Sequence, residues 1–64
     1  MNGKVFDENN QLIAQYFDVS VEIDYKVGCV YLYSKNGIDG SLMYYNFKKI
    51  LISQDEKEII VYEK

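Results

Sequence analysis

From Val19 to Lys26 hydrophobic and polar residues alternate without a break, with Val19, Val21, Ile23 and Tyr25 on one parity and Ser20, Glu22, Asp24 and Lys26 on the other. Successive side chains of a strand point to opposite faces, so this segment predicts a strand with one side on a core and one side in water. On this reading Tyr25 belongs to the core side. The rest of the chain divides the same way. Lys4 to Asp7 predicts a first short strand, the polar run Glu8, Asn9, Asn10 a hairpin turn, and Gln11 to Phe17 the return. Val27-Gly28 turns the chain into a strand from Cys29 to Ser34, and the stretch 35–41, with Asn36-Gly37 and Asp39-Gly40, makes the next connection.

Leu42 to Ser53 is long for one strand, and two adjacent lysines, Lys48 and Lys49, interrupt its apolar sequence, so a bend or bulge is expected there. Tyr44, Phe47, Lys48 and Leu51 fall at helical spacing, yet the segment has no alanine or glutamate and is rich in aromatic and β-branched residues, which favours a strand. Gln54 to Lys57 reads as the last turn and Glu58 to Glu63 as the last strand. The expected fold is a single all-β domain over residues 1–64, an antiparallel meander or partly open barrel of five to six short strands.

The hairpin strands Cys29 to Ser34 and Leu42 to Phe47 are apolar on both parities, unlike the strand from Val19. If Val30, Leu32, Met43, Tyr45 and Phe47 face the core, then Cys29, Tyr31, Tyr33, Leu42, Tyr44 and Asn46 lie outside, with Lys48 beyond them. Tyrosine suits such a face, being apolar in its body and polar at its tip, and large rigid side chains dominate binding hot spots. Tyrosine is also intrinsically favoured in strands, where a cross-strand pair such as Tyr31 beside Tyr44 stabilises the sheet without any partner. Tyr16 and Tyr62 are not placed by parity.

Composition narrows the functional classes. The chain has 64 residues, seven tyrosines, one cysteine, and neither histidine, arginine nor tryptophan. A domain of about this size buries only about 60% of its unfolded surface and is marginally stable. Cys29 alone closes no internal disulfide, and with one cysteine and no histidine the chain lacks the four ligands of a zinc cluster. Self-association into a homodimer is therefore an expected source of further stability. No cofactor is expected. The stretch Met1 to Asp7 lacks the basic start and apolar core of a secretion signal, no apolar run is long enough to span a membrane, and one free thiol fits a reducing compartment, so the cytoplasm is expected. Net charge is −3 with acids and lysines interspersed. Residues with AT-rich codons (Phe, Tyr, Met, Ile, Asn, Lys) make up nearly half of the chain, a skew typical of AT-rich genomes.

Candidate chemistry is sparse. Glu22 and Asp24 share a strand face at about 6.6 Å along the strand, within the range of catalytic carboxylate pairs, but any wet strand face with acids produces that spacing. Asp7, Asn9 and Gln11 alternate oxygen-bearing side chains like the start of a calcium loop, without its glycine or distal glutamate, and read as a polar hairpin turn. The Asn-Gly and Asp-Gly pairs read as turns and not as a phosphate cradle, since no glycine-rich fingerprint accompanies them. Cys29 lacks a histidine to share its proton and reads as a small strand residue. With neither a nucleophile–base pair nor a metal cluster, an enzyme is not expected.

The leading expectation is a non-enzymatic module that binds another protein through Tyr31, Tyr33, Leu42, Tyr44 and Lys48, with Glu22 and Asp24 facing a basic partner surface. Size, composition and the empty catalytic kit have the general character of a phage or mobile-element accessory protein that inhibits a host protein, for example a defence nuclease. The alternative is a nucleotide or single-stranded nucleic acid stacked on Tyr31, Tyr33 or Tyr44 with phosphates on Lys48 and Lys49. The negative net charge and absence of arginine argue against it.

Overall fold

A computed structural model of the chain describes residues 1–34 and 42–64. They form strands β1 (Asn2–Phe6), β2 (Leu12–Tyr16), β3 (Val19–Asp24), β4 (Cys29–Ser34), β5 (Leu42–Ile52) and β6 (Glu58–Glu63) in one sheet of order β2-β1-β6-β5-β4-β3. The all-β expectation holds, and β4 and β6 run over the residues expected. No helix is long and apolar enough to cross a membrane among the described residues. The connection with Asn36-Gly37 and Asp39-Gly40 lies outside the described residues.

One pairing departs from a meander. β1 runs parallel to β6, with Asn2 opposite Glu58 and Phe6 opposite Tyr62, while the other neighbours are antiparallel. The sheet is mixed for that reason. The Asn2 N–H donates to the Lys57 carbonyl at 2.8 Å, which starts β1 earlier than the local pattern indicates. Pairing between the two ends of a chain leaves no mark on local alternation.

Two corners coil the sheet. β5 changes partner next to the expected bulge: Leu42 to Asn46 pair with β4, Phe47 pairs with Glu63 of β6, the register shifts between Phe47 and Lys49, and Lys49 to Ile52 continue the pairing with β6. The second corner is Phe17-Asp18, between β2 and β3, where Asp18 takes a φ of 54°. An aspartate tolerates this left-handed conformation better than most residues. Here the Val19 N–H donates to the Met1 carbonyl at 2.8 Å and the Met1 ammonium donates to the Val19 carbonyl at 3.1 Å, so the edge strand β3 begins beside the residue that leads into β1.

The coil encloses Val5, Val19, Val30, Leu32, Ile59 and Val61, each at most 2% exposed, with Met43, Tyr45, Phe47 and Ile50 of β5 packed around them. The hydroxyls of Tyr16 and Tyr45 hydrogen-bond to each other beside this cluster. Burial, then the Tyr16 contact, raises the Tyr45 pKa above the usual phenol value. Tyr25, expected on the core side, is instead 72% exposed. The strand stops at Asp24, two residues short of Lys26, because the Asp24 carboxylate accepts the backbone N–H groups of Lys26 (3.0 Å) and Val27 (3.2 Å), which folds Tyr25 to Gly28 into a turn. Tyr25 there meets the Phe47 ring edge-on at a centroid distance of 6.2 Å.

Two glycines should respond oppositely to alanine. A Cβ on Gly3 would meet Ile59 Cγ2 and Leu32 Cδ1 at 3.6 Å each, ordinary contact distance, so Gly3→Ala should stabilise the fold by about 0.4–1 kcal/mol through a less flexible unfolded chain. Gly28 has a φ of 80°, and Gly28→Ala should cost about 1 kcal/mol or more. Thermal melts of both variants check this. A lower melting temperature for Gly3→Ala contradicts the packing.

Candidate interaction face on strands β3, β4 and β5

With Val30, Leu32, Met43 and Tyr45 turned to the core, strand parity sends the intervening residues outward. The registers of β3–β4 and β4–β5 then align three cross-strand rows: Ser20, Tyr33, Leu42; Glu22, Tyr31, Tyr44; and Asp24, Cys29, Asn46. All of the sequence-predicted site residues except Lys48 fall on this one face. Leu42 is 54% and Tyr44 50% exposed, and Tyr31 and Tyr33 are half-buried.

The rows are internally bonded. The Tyr33 hydroxyl donates to Glu22 Oε2 at 3.1 Å, diagonally across β3 and β4. That bond to a carboxylate raises the Tyr33 pKa, because ionising the phenol would set two anions side by side. The Tyr31 and Tyr44 rings lie 5.3 Å apart at 59°, the tilted arrangement that aromatic pairs prefer. The Tyr44 hydroxyl donates to Asn46 Oδ1 at 3.0 Å and lies 3.1 Å from Cys29 Sγ. The bond with Cys29, then desolvation, raises the Tyr44 pKa.

Cys29 has the outward parity but is only 1% exposed. Tyr44 and Asn46, both on β5, reach its sulfur, the latter at 3.5 Å. The thiol is therefore enclosed, and the strand-residue reading accounts for it. Asp24 shares a face with Glu22 as expected, but one of its carboxylate oxygens holds the turn that ends β3. Glu22 is the freer of the two acids for an outside partner.

Lys48 is the correction to the predicted site. Strand parity carried past the bulge would leave it beside Tyr44. The register shift takes it instead into a concavity with Phe6, Asn10, Lys49 and Tyr62, on the other half of the sheet. Lys49 goes with it, its ammonium 5.6 Å from the centre of the Tyr62 ring. The arrangement of Tyr31, Tyr33 or Tyr44 stacking a base whose phosphate rests on Lys48 and Lys49 is thus not brought together. Phe6 and Tyr62 were missed as neighbours because β1 and β6 are far apart in the chain. Asn46 was placed outside by parity, but its role as a lid on Cys29 had no sequence signal.

The turn of Asp7 to Gln11 is the polar turn expected. Asp7 Oδ1 accepts the N–H groups of Asn9 and Gln11 at 2.8 and 2.9 Å. No protein-family model, curated protein or solved structure matches the chain. The functional reading therefore rests on its own residues.

Proposed function

We propose that this chain is a non-enzymatic binding module that docks the outer face of β3, β4 and β5 onto a basic surface of another protein. One observation carries the proposal. Tyr31, Tyr33, Leu42 and Tyr44 form a contiguous aromatic and aliphatic surface, with the acids Glu22 and Asp24 along its β3 side. Tyrosine offers contact area at little cost in rotamer freedom, and the Tyr33–Glu22 and Tyr31–Tyr44 contacts hold these side chains in place before any partner arrives. The acids then select for positive charge opposite them.

The same proposal gives the module an inhibitory role: an accessory protein of a phage or mobile element that covers a functional surface of a host protein. Its support is the small size and the AT-rich composition.

Affinity capture from the cell of origin tests the binding reading. The unaltered chain should retain a basic protein that the double variant Tyr31→Ala/Tyr44→Ala, verified as folded, does not retain. Glu22→Lys should weaken the complex, and raising the salt from about 0.05 to about 0.5 M should weaken it as well, because exposed charge pairs are screened within a few ångströms at high ionic strength. Equal capture by the unaltered and doubly substituted chains overturns the assignment of this face. Affinity independent of salt overturns the acidic contribution.

A further inference from the structure

The outer side of the other half of the sheet carries different chemistry. Phe6 on β1 lies opposite Tyr62 on β6, and Tyr62 lies opposite Lys49 on β5, so the three form a row across strands. The Phe6 and Tyr62 rings stack at 5.5 Å and 21°, and the Lys49 ammonium sits over the Tyr62 ring. With Asn10 of the β1–β2 turn and Lys48 of the bulge they line an open concavity of about 550 Å³. The bulge creates this grouping. In a regular strand Lys48 and Lys49 would point to opposite faces, whereas the extra residue between Phe47 and Lys49 lets both line the same hollow.

The local charge is opposite in sign to that of the chain. Net charge is −3, yet the residues lining the hollow include two lysines, a phenol and a carboxamide, and none of them is an acid. Lys48 and Lys49 both line the hollow, so an anion placed there would meet two positive charges. The volume lies within the range of small-molecule sites and has room for one nucleotide-sized ligand. The Phe6 and Tyr62 rings face each other, so no base enters between them. Their pair instead forms an apolar wall beside the cationic rim.

The geometry points to a binding site for a nucleotide phosphate. Lys48 and Lys49 hold the phosphate, Asn10 and Tyr62 supply further donors, and the Phe6–Tyr62 pair meets the organic body. The site shares no residue with the tyrosine face and is independent of the protein-binding proposal. The ligand is either a free mononucleotide or one nucleotide of a single strand, since both present the same phosphate and base.

Amide NMR titrations of the ¹⁵N-labelled full chain with AMP, a short oligothymidylate and inorganic phosphate test the site. AMP or the oligonucleotide should move the amide signals of Asn10, Lys48, Lys49 and Tyr62 and saturate at about 1 mM or below. Lys48→Ala/Lys49→Ala should keep a folded spectrum, because both side chains are exposed, and weaken binding by roughly tenfold or more. Tyr62→Phe, which keeps the ring, should weaken it by a few-fold. Tighter binding of the oligonucleotide than of AMP assigns the strand as the source, and comparable binding assigns the free nucleotide. The proposal fails if neither ligand gives saturable shifts up to about 10 mM, if the double lysine variant binds as tightly as the unaltered chain, or if inorganic phosphate binds as tightly as AMP.

Discussion

Leu32→Ala is expected to leave the chain unfolded at room temperature. Leu32 is fully enclosed at the middle of β4, in a cluster with Val5, Val19, Val30, Ile59 and Val61 drawn from four strands. Truncating such a side chain costs about 2–5 kcal/mol, the lost transfer energy plus the cavity left behind. A single core in a domain below about 70–80 residues rarely supplies more than about 3–5 kcal/mol in total. The loss is as large as the stability it is taken from. Leu42→Ala on the same hairpin is the control: Leu42 is more than half exposed, so its truncation should change stability by only about 0.5 kcal/mol. Far-UV circular dichroism and the dispersion of amide NMR signals check both. A Leu32→Ala chain with a native-like melt would contradict the placement of the core.

The second large effect is on binding. Tyr44→Ala should weaken the complex with the proposed protein partner by about 2 kcal/mol, roughly 30-fold, as expected for an aromatic anchor near the centre of an interface. Tyr44 occupies the middle row of the face, pairs with the Tyr31 ring and is half exposed. Some loss of stability should accompany the substitution, since the Tyr44 hydroxyl also covers Cys29. Tyr44→Phe separates the two roles. It keeps the ring and its contact with Tyr31 but removes the hydroxyl, so it should retain most of the affinity while lowering the melting temperature slightly. Titration calorimetry alongside thermal melts reads both quantities. Unchanged affinity for Tyr44→Ala would make the ring pair purely a sheet contact.

The strands were legible where local chemistry decides them. β4 lies between a glycine turn and a polar connection, β6 follows the Gln54 to Lys57 turn, and the bulge at Lys48 follows from two lysines set in an apolar run. The face was legible too, because period-two alternation alone puts Tyr31, Tyr33, Leu42 and Tyr44 on one side once Val30 and Leu32 are inside. What was not legible depends on distant partners or on side-chain reach. The parallel pairing of β1 with β6 joins the ends of the chain, and with it comes the Phe6–Tyr62 pair. Tyr25 kept the right parity for the core, but the Asp24 carboxylate captured the next backbone groups and ended the strand before it. Parity likewise put Cys29 outside, where the length of the Tyr44 side chain encloses it. Lys48 moved away from the tyrosines because a bulge resets parity, and the pattern marks where a bulge falls without saying which side the residues after it take.

Aromatic and acidic side chains share one face of β3, β4 and β5, and amide NMR of the labelled chain with its captured protein partner tests whether that face is the binding surface. The largest signal changes should fall on Ser20, Glu22, Tyr31, Tyr33, Leu42 and Tyr44, with the signals of Asn10, Lys48, Lys49 and Tyr62 little changed. Changes concentrated on the β1–β6 side, with the tyrosine face unperturbed, would contradict it.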